Sequence, residues 1–132
     1  MKIVRYQNST GLIEFGSQDA SGKIFKLRGD IFASPKVTSE PAQVAKLLAP
    51  IAPVSILCIG LNYRKHAEET NAKVPDFPVL FVKGINTVQN PNDPIQLPTF
   101  LKSNEVDYEC ELAVVIGKRC KNVCRADALD FT

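Results

Sequence analysis

Val54-Ser55-Ile56-Leu57-Cys58-Ile59-Gly60-Leu61 runs directly into Asn62-Tyr63-Arg64-Lys65-His66-Ala67-Glu68-Glu69. The first stretch is nearly continuous apolar sequence, as expected of a strand covered on both faces. Asn62 can cap a short helix running to about Thr70. A loop bearing Pro75 and Pro78 follows, and then a second apolar run, Val79 to Val82, closed by Lys83-Gly84. Residues 86–104 carry Pro91, Pro94 and Pro98 and read mainly as loop. A third strand is expected from Val106 to Ile116, stopped by Gly117-Lys118, and residues 125–132 read as the start of a further element.

Upstream, Ala49-Pro50-Ile51-Ala52-Pro53 forms a stiff break, because proline removes a backbone donor and restricts the residue before it. Before that break, Lys2–Tyr6, Gly11–Phe15 and Gly22–Leu27 read as short strands. Ser39 is placed to cap a helix with Pro41 in its first turn. Val44, Leu47, Leu48 and Ile51 fall at the i, i+3, i+4, i+7 spacing of one helix face. The division that results is a small β module over residues 1–50 and a second unit over residues 54–132.

Composition bounds the function. The chain has 132 residues, 45% of them hydrophobic and 23% charged, with a formal charge of +2. That balance is globular and too even for a nucleic-acid surface built on a basic field. The cluster Lys118, Arg119, Lys121 and Arg125 reads as a solvated turn after a strand. No apolar run approaches the roughly 18–20 residues of a membrane helix, and the N-terminus lacks the apolar core of a secretory signal. No membrane or nucleic-acid partner is therefore expected, and the location expected is intracellular, cytoplasmic, with a mitochondrial one left open. The cysteines, Cys58, Cys110, Cys120 and Cys124, read as reduced, partly buried thiols. Cys120 and Cys124 alone fall short of the four ligands of a structural zinc site.

Three groups could carry chemistry. On a strand from Val106 to Ile116, Asp107, Glu109 and Glu111 would share one face, bordering the apolar Ala113 and Val115. Clustered carboxylates repel unless neutralised, so the face is either a solvated acidic edge or a site for a hard dication such as Mg²⁺ or Mn²⁺. His66 and Glu69 lie at i and i+3 on the short helix. They are either a surface ion pair or a base whose imidazole a carboxylate orients. Lys83, at the end of a strand, is either an ordinary strand-end lysine or an anion contact.

Together, the segments Cys58–Glu69, Pro78–Lys83 and Val106–Lys118 resemble, in order and spacing, the fumarylacetoacetate hydrolase family. The resemblance covers roughly residues 54–132; residues 1–50 fit the family's variable N-terminal module loosely. It implies an α+β, mainly β fold, a mixed β-sandwich roll preceded by the small N-terminal β module. Glu109 and Glu111 would then be metal ligands for Mg²⁺ or Mn²⁺, with Asp107 beside them and not bound directly. His66 and Glu69 would activate water, with Glu68 the weaker neighbour, and Lys83 would bind substrate. The family's third metal carboxylate would follow Thr132, so residues 54–132 are expected to be an incomplete, N-terminal part of the catalytic domain.

The activity implied is metal-dependent hydrolysis of a C–C bond in acylpyruvates and related 1,3-dioxo acids. The same pocket would also serve an oxaloacetate keto–enol tautomerase or a related isomerase or decarboxylase. A third expectation is an inactive truncated chain. The partners implied are a small 2-oxo or 1,3-dioxo acid and, at full length, a second copy in a homodimer.

Overall fold

The computed structural model describes residues 1–132. Five antiparallel strands form the larger sheet: β1 (Lys2–Asn8), β2 (Ile13–Gln18), β3 (Ile24–Arg28), β4 (Lys36–Pro41) and β5 (Val44–Leu48). Their order is β4-β3-β2-β1-β5. Two further strands, β6 (Ile56–Gly60) and β7 (Val79–Lys83), pair antiparallel as a separate ribbon. One helix, α1 (Arg64–Glu69), lies between them in sequence. Short 3-10 turns cover Ile85–Thr87 and Arg125–Phe131. The fold is thus mainly β with few helices, as expected, and no helix is long and apolar enough to cross a membrane.

The first two hairpins close on one device used twice. Asn8 Oδ1 accepts from Thr10 N at 3.0 Å and Leu12 N at 2.9 Å. Eleven positions on, Asp19 Oδ1 accepts from Ser21 N at 2.9 Å and Lys23 N at 3.0 Å. Gly11 at φ +88 and Gly22 at φ +87 take the left-handed position each turn requires.

Between the hairpins, the sheet's inner contact sits on Tyr6 and Gly16. Tyr6 is fully buried, and its hydroxyl has no hydrogen-bond partner. Burial first, and then the Glu14 carboxylate, hold its phenol above the ordinary value of 10.0. A Cβ on Gly16 would lie 2.5 Å from Ile24 Cγ2, 2.9 Å from the Phe25 carbonyl oxygen and 3.3 Å from the Tyr6 ring. Only hydrogen fits there. Besides these two, only Ala49 and Ala67 are buried.

Four sequence expectations change. The helix expected from Ser39 is instead the strand pair β4 and β5. Val44, Leu47 and Leu48 are part-buried on β5, which fills the free edge of β1 with Tyr6 opposite Leu47. A short apolar run fits either period, and the backbone partners offered by β1 decide it. Pro41 sits on β4, at the sheet's outer edge, where its missing N–H interrupts no inner ladder. The strand at Val54–Leu61 exists as β6 but is not buried on both faces: Leu57 is 66% exposed. Asn62 does not cap α1; Tyr63 holds that position without a side-chain cap. Finally, Val106–Ile116 joins no ladder and is exposed throughout, because no strand in the chain runs beside it to share its hydrogen bonds.

Two outcomes follow from the sheet. Gly16→Ala is expected to cost about 1–3 kcal/mol by overpacking, read as a lower urea midpoint at unchanged m-value. An unchanged midpoint would show that β2 and β3 can part to admit a methyl group. The second outcome concerns acid. Hydrogen bonding to Ser21 and Lys23 holds Asp19 below its ordinary 3.8, so the unfolded chain takes up the proton first. The turn's contribution is complete above 3.8 and is lost as pH falls through the lower folded value. The amide shifts of Ser21 and Lys23 should titrate in that window, while those of Thr10 and Leu12, held by the amide of Asn8, stay flat.

Candidate active site

The β6–β7 register sets the floor of the site. Ile56 pairs with Lys83 and Cys58 with Phe81, so these four alternate onto one face of the ribbon. The Lys83 ammonium lies 5.5 Å from the centre of the Phe81 ring. It reaches Glu109 Oε2 at 2.8 Å, with the two side chains 31% and 51% exposed. This contact above all, opposed by partial loss of water and supported by the charges of Glu109, Cys58 and Glu111, holds Lys83 above the ordinary lysine value of 10.5.

After β6 the backbone turns sharply. Leu61 takes φ +48, a left-handed conformation that a branched side chain rarely adopts, immediately ahead of the residues that start α1. Tyr63 then anchors the acidic segment: its hydroxyl accepts a hydrogen bond from Leu112 N at 2.8 Å. The contacts Tyr63–Leu112 and Lys83–Glu109 together place Glu111 between the start of α1 and the end of β7.

An open cleft of about 820 Å³ runs beside this contact. Lys83, Asp107, Tyr108 and Glu109 line it on one side, and Lys46 and Asp93 on the other. The second wall is pinned to the larger sheet. Lys46 Nζ lies 2.7 Å from Asp93 Oδ2, and Ala49 N donates to Asn90 Oδ1 at 2.9 Å. The Lys46 ammonium, and a hydrogen bond from Asn90, hold Asp93 below its ordinary 3.8.

Of the residues singled out from the sequence, the structure brings Lys83, Glu109 and Asp107 to one cleft, with Glu111 next along the chain. His66 and Glu69 lie on α1, outside the cleft lining. His66 is exposed, makes no ion pair with Glu69, and its ring has no hydrogen-bond partner in the chain. The expected sheltered setting of the carboxylates is also not seen, since Glu109 and Glu111 are both exposed. All four cysteines are free thiols, and only Cys58 is part-buried; Cys110, Cys120 and Cys124 are exposed, against the expectation.

Lys46, Asn90 and Asp93 escaped the sequence reading. Lys46 and Asp93 are 47 residues apart, and no local pattern links them. Asn90-Pro91-Asn92-Asp93-Pro94 did carry a turn signal that could have marked this loop as a wall.

A hard dication fits the donors in part. Glu109 and Glu111 offer the carboxylate oxygens that Mg²⁺ or Mn²⁺ prefers, and Glu109 already holds a cationic group. The chain does not gather three or more His, Cys, Asp or Glu side chains around one point. Two carboxylates are therefore what it contributes.

Known proteins resemble this chain in sequence and in fold. An oxaloacetate tautomerase of Xenopus laevis, named as mitochondrial, is 49% identical over 85 residues, covering 64% of this chain and 26% of that protein. A caffeoylpyruvate hydrolase of Neonothopanus nambi is 40% identical over 104 residues, covering 74% of this chain and 36% of that protein. The crystal structure of a 2-hydroxyhepta-2,4-diene-1,7-dioate isomerase from Mycobacterium marinum superposes with a TM-score of 0.76 at 30% identity. That match takes in 99% of this chain and 50% of the isomerase. The chain thus spans half or less of the length of each. Residues 55–131, more than half of the chain, match the family described as Fumarylacetoacetate (FAA) hydrolase C-terminal, and the chain belongs to the fumarylacetoacetate hydrolase family.

Proposed function

We propose that this chain supplies one part of an active site that binds a small 2-oxo acid and stabilises its enolate, with keto–enol tautomerisation of an oxaloacetate-like acid as the reaction. The observation that carries this reading is the Lys83–Glu109 contact at the cleft, where an ammonium for the acid's carboxylate stands beside carboxylates for a dication. Glu109 and Glu111 would hold Mg²⁺ or Mn²⁺, and Lys83 would bind the acid's carboxylate. Bound there, the dication would act as a Lewis acid on the 2-oxo oxygen and its enolate.

His66 is assigned the proton transfer in this reading, although in this structure it lies on α1 outside the cleft lining. It takes the proton from the carbon next to the carbonyl and returns it to the enolate oxygen. An imidazole suits the task because its ordinary pKa lies near neutral pH. Asp107 borders the ligands and adds negative charge to the cleft wall. Support also comes from the Xenopus relative, an oxaloacetate tautomerase and the more similar of the two at 49% identity.

Hydrolytic C–C cleavage of an acylpyruvate is the second reading. It is favoured by the Neonothopanus relative, a caffeoylpyruvate hydrolase, and by the placing of His66 and Glu69 at i and i+3 on α1. It asks more of α1, since Glu69 must orient His66 toward a water.

Oxaloacetate provides the test. Glu109→Gln is expected to remove Mn²⁺-dependent decay of the enol absorbance. His66→Ala is expected to slow that decay about 10²–10⁴-fold, the usual span of general acid–base catalysis, with Mn²⁺ still bound. Near-normal turnover in the His66→Ala protein would refute its proton-carrying role. Release of pyruvate and a second acid from an acylpyruvate, with no effect on oxaloacetate enol, would establish the second reading instead.

A further inference from the structure

Val106–Ile116 is a strand sequence with no strand beside it. No residue in it takes a positive φ, and of its backbone groups only the Leu112 N–H is hydrogen-bonded, to Tyr63 Oη at 2.8 Å. Along a strand, the backbone groups of successive residues point to opposite edges. Tyr63 therefore stands at the edge used by Cys110, Leu112 and Val114, and the edge of Glu109, Glu111, Ala113 and Val115 is open. One side-chain face of the segment is apolar, with Tyr108 at 75% and Leu112 at 83% exposure. The other carries Asp107, Glu109 and Glu111, followed by Ala113 and Val115. An open edge above an uncovered apolar face is a template for another strand.

The order of charges selects the strand that fits. A parallel copy in register would set each carboxylate against itself, which destabilises a sheet. An antiparallel copy turned about Leu112 does not. Glu111 then lies opposite Ala113 of the second copy and Glu109 opposite its Val115, while on the apolar face Cys110 meets Val114 and Tyr108 meets Ile116. Only Glu111 approaches its own image, and only diagonally. Turning about Glu111 or Cys110 instead brings carboxylates directly together, and turning about a later residue shortens the ladder. Gly117 ends it, since its N–H already goes to the Phe131 carbonyl. We propose that the open edge of Val106–Ile116 pairs with the same segment of a second copy of this chain, antiparallel and centred on Leu112. The two-fold axis closes the pair, so it stops at a dimer. In this register Leu112 forms a pair without mutual backbone bonds, which leaves its N–H on Tyr63 as observed.

This inference stands apart from the chemistry assigned to the cleft, and two measurements on the full chain test it. In sedimentation equilibrium the parent is expected to reach twice its monomer mass as concentration rises. Ala113→Pro, which takes away a ladder N–H, should remain a monomer with an unchanged circular dichroism spectrum. The second measurement is crosslinking, with all four cysteines replaced by serine. Leu112→Cys should join into a disulfide dimer under mild oxidation, because such a pair holds its Cα atoms about 4.5 Å apart. Glu111→Cys, whose image lies about 7–8 Å away on the diagonal, should not. A parent that stays monomeric overturns the proposal, including one whose Glu111 and Ala113 amides become protected only when a different polypeptide is added. A dimer that survives Ala113→Pro, or that crosslinks through Glu111→Cys and not Leu112→Cys, overturns it as well. Should the serine background fail to fold, the parent and Ala113→Pro still decide.

Discussion

Tyr6 lying against Gly16 is the contact from which the rest of the larger sheet extends. It lets the aromatic ring lie over Gly16 on one face of the paired strands β1 and β2, and it buries the one large side chain in the molecule that water does not reach. With β1 so placed, its other edge is open to β5, and β5 carries Lys46 and leads to Ala49. Those two residues hold the loop at Asn90–Asp93. A packing constraint in the first sixteen residues thus fixes a wall of the cleft through a chain of backbone pairings. The opposite wall depends on the β6–β7 register and on the contacts of Lys83 with Glu109 and of Tyr63 with Leu112. Both sheets contribute to the cleft lining, Lys46 from one and Lys83 from the other.

Charge, and not depth, organises the candidate site. Its groups are half exposed, so their mutual attraction is softened by water, and each contact has modest strength. Contacts of that strength can be exchanged without unfolding the surroundings. The backbone beneath is firmer: the left-handed turn at Leu61 and the hydrogen bond from Leu112 to Tyr63 fix where α1 begins relative to the acidic segment.

Much of this was legible from residue order, and the reasons are local. The strands β6 and β7 and the helix α1 each announce themselves within a few residues, through an unbroken apolar run or a polar start. The motif residues Lys83 and Glu109 were found as types at expected positions, and the structure adds their meeting. The region from Ser39 to Leu48 was misread because a helix stripe and two short edge strands share one apolar count, and only the vacant edge of β1 tells them apart. The segment Val106–Ile116 shows the converse. Its alternation is sound strand sequence, but a strand is a relation between two segments, and no second segment lies beside it here. Long-range partners such as Lys46 and Asp93 leave no trace in spacing at all.

One feature of the ribbon reaches beyond the site. Leu57 and Ile59 on β6 face the same way as Val82 and Leu80 on β7, and all four remain open to solvent, Val82 at 68% and Leu80 at 64%. Water loses orientational freedom over such a greasy plateau, and the drive to hide it strengthens on warming and fades on cooling. Any association through that plateau would strengthen with warmth or sulfate and weaken in the cold, the reverse of association through ion pairs.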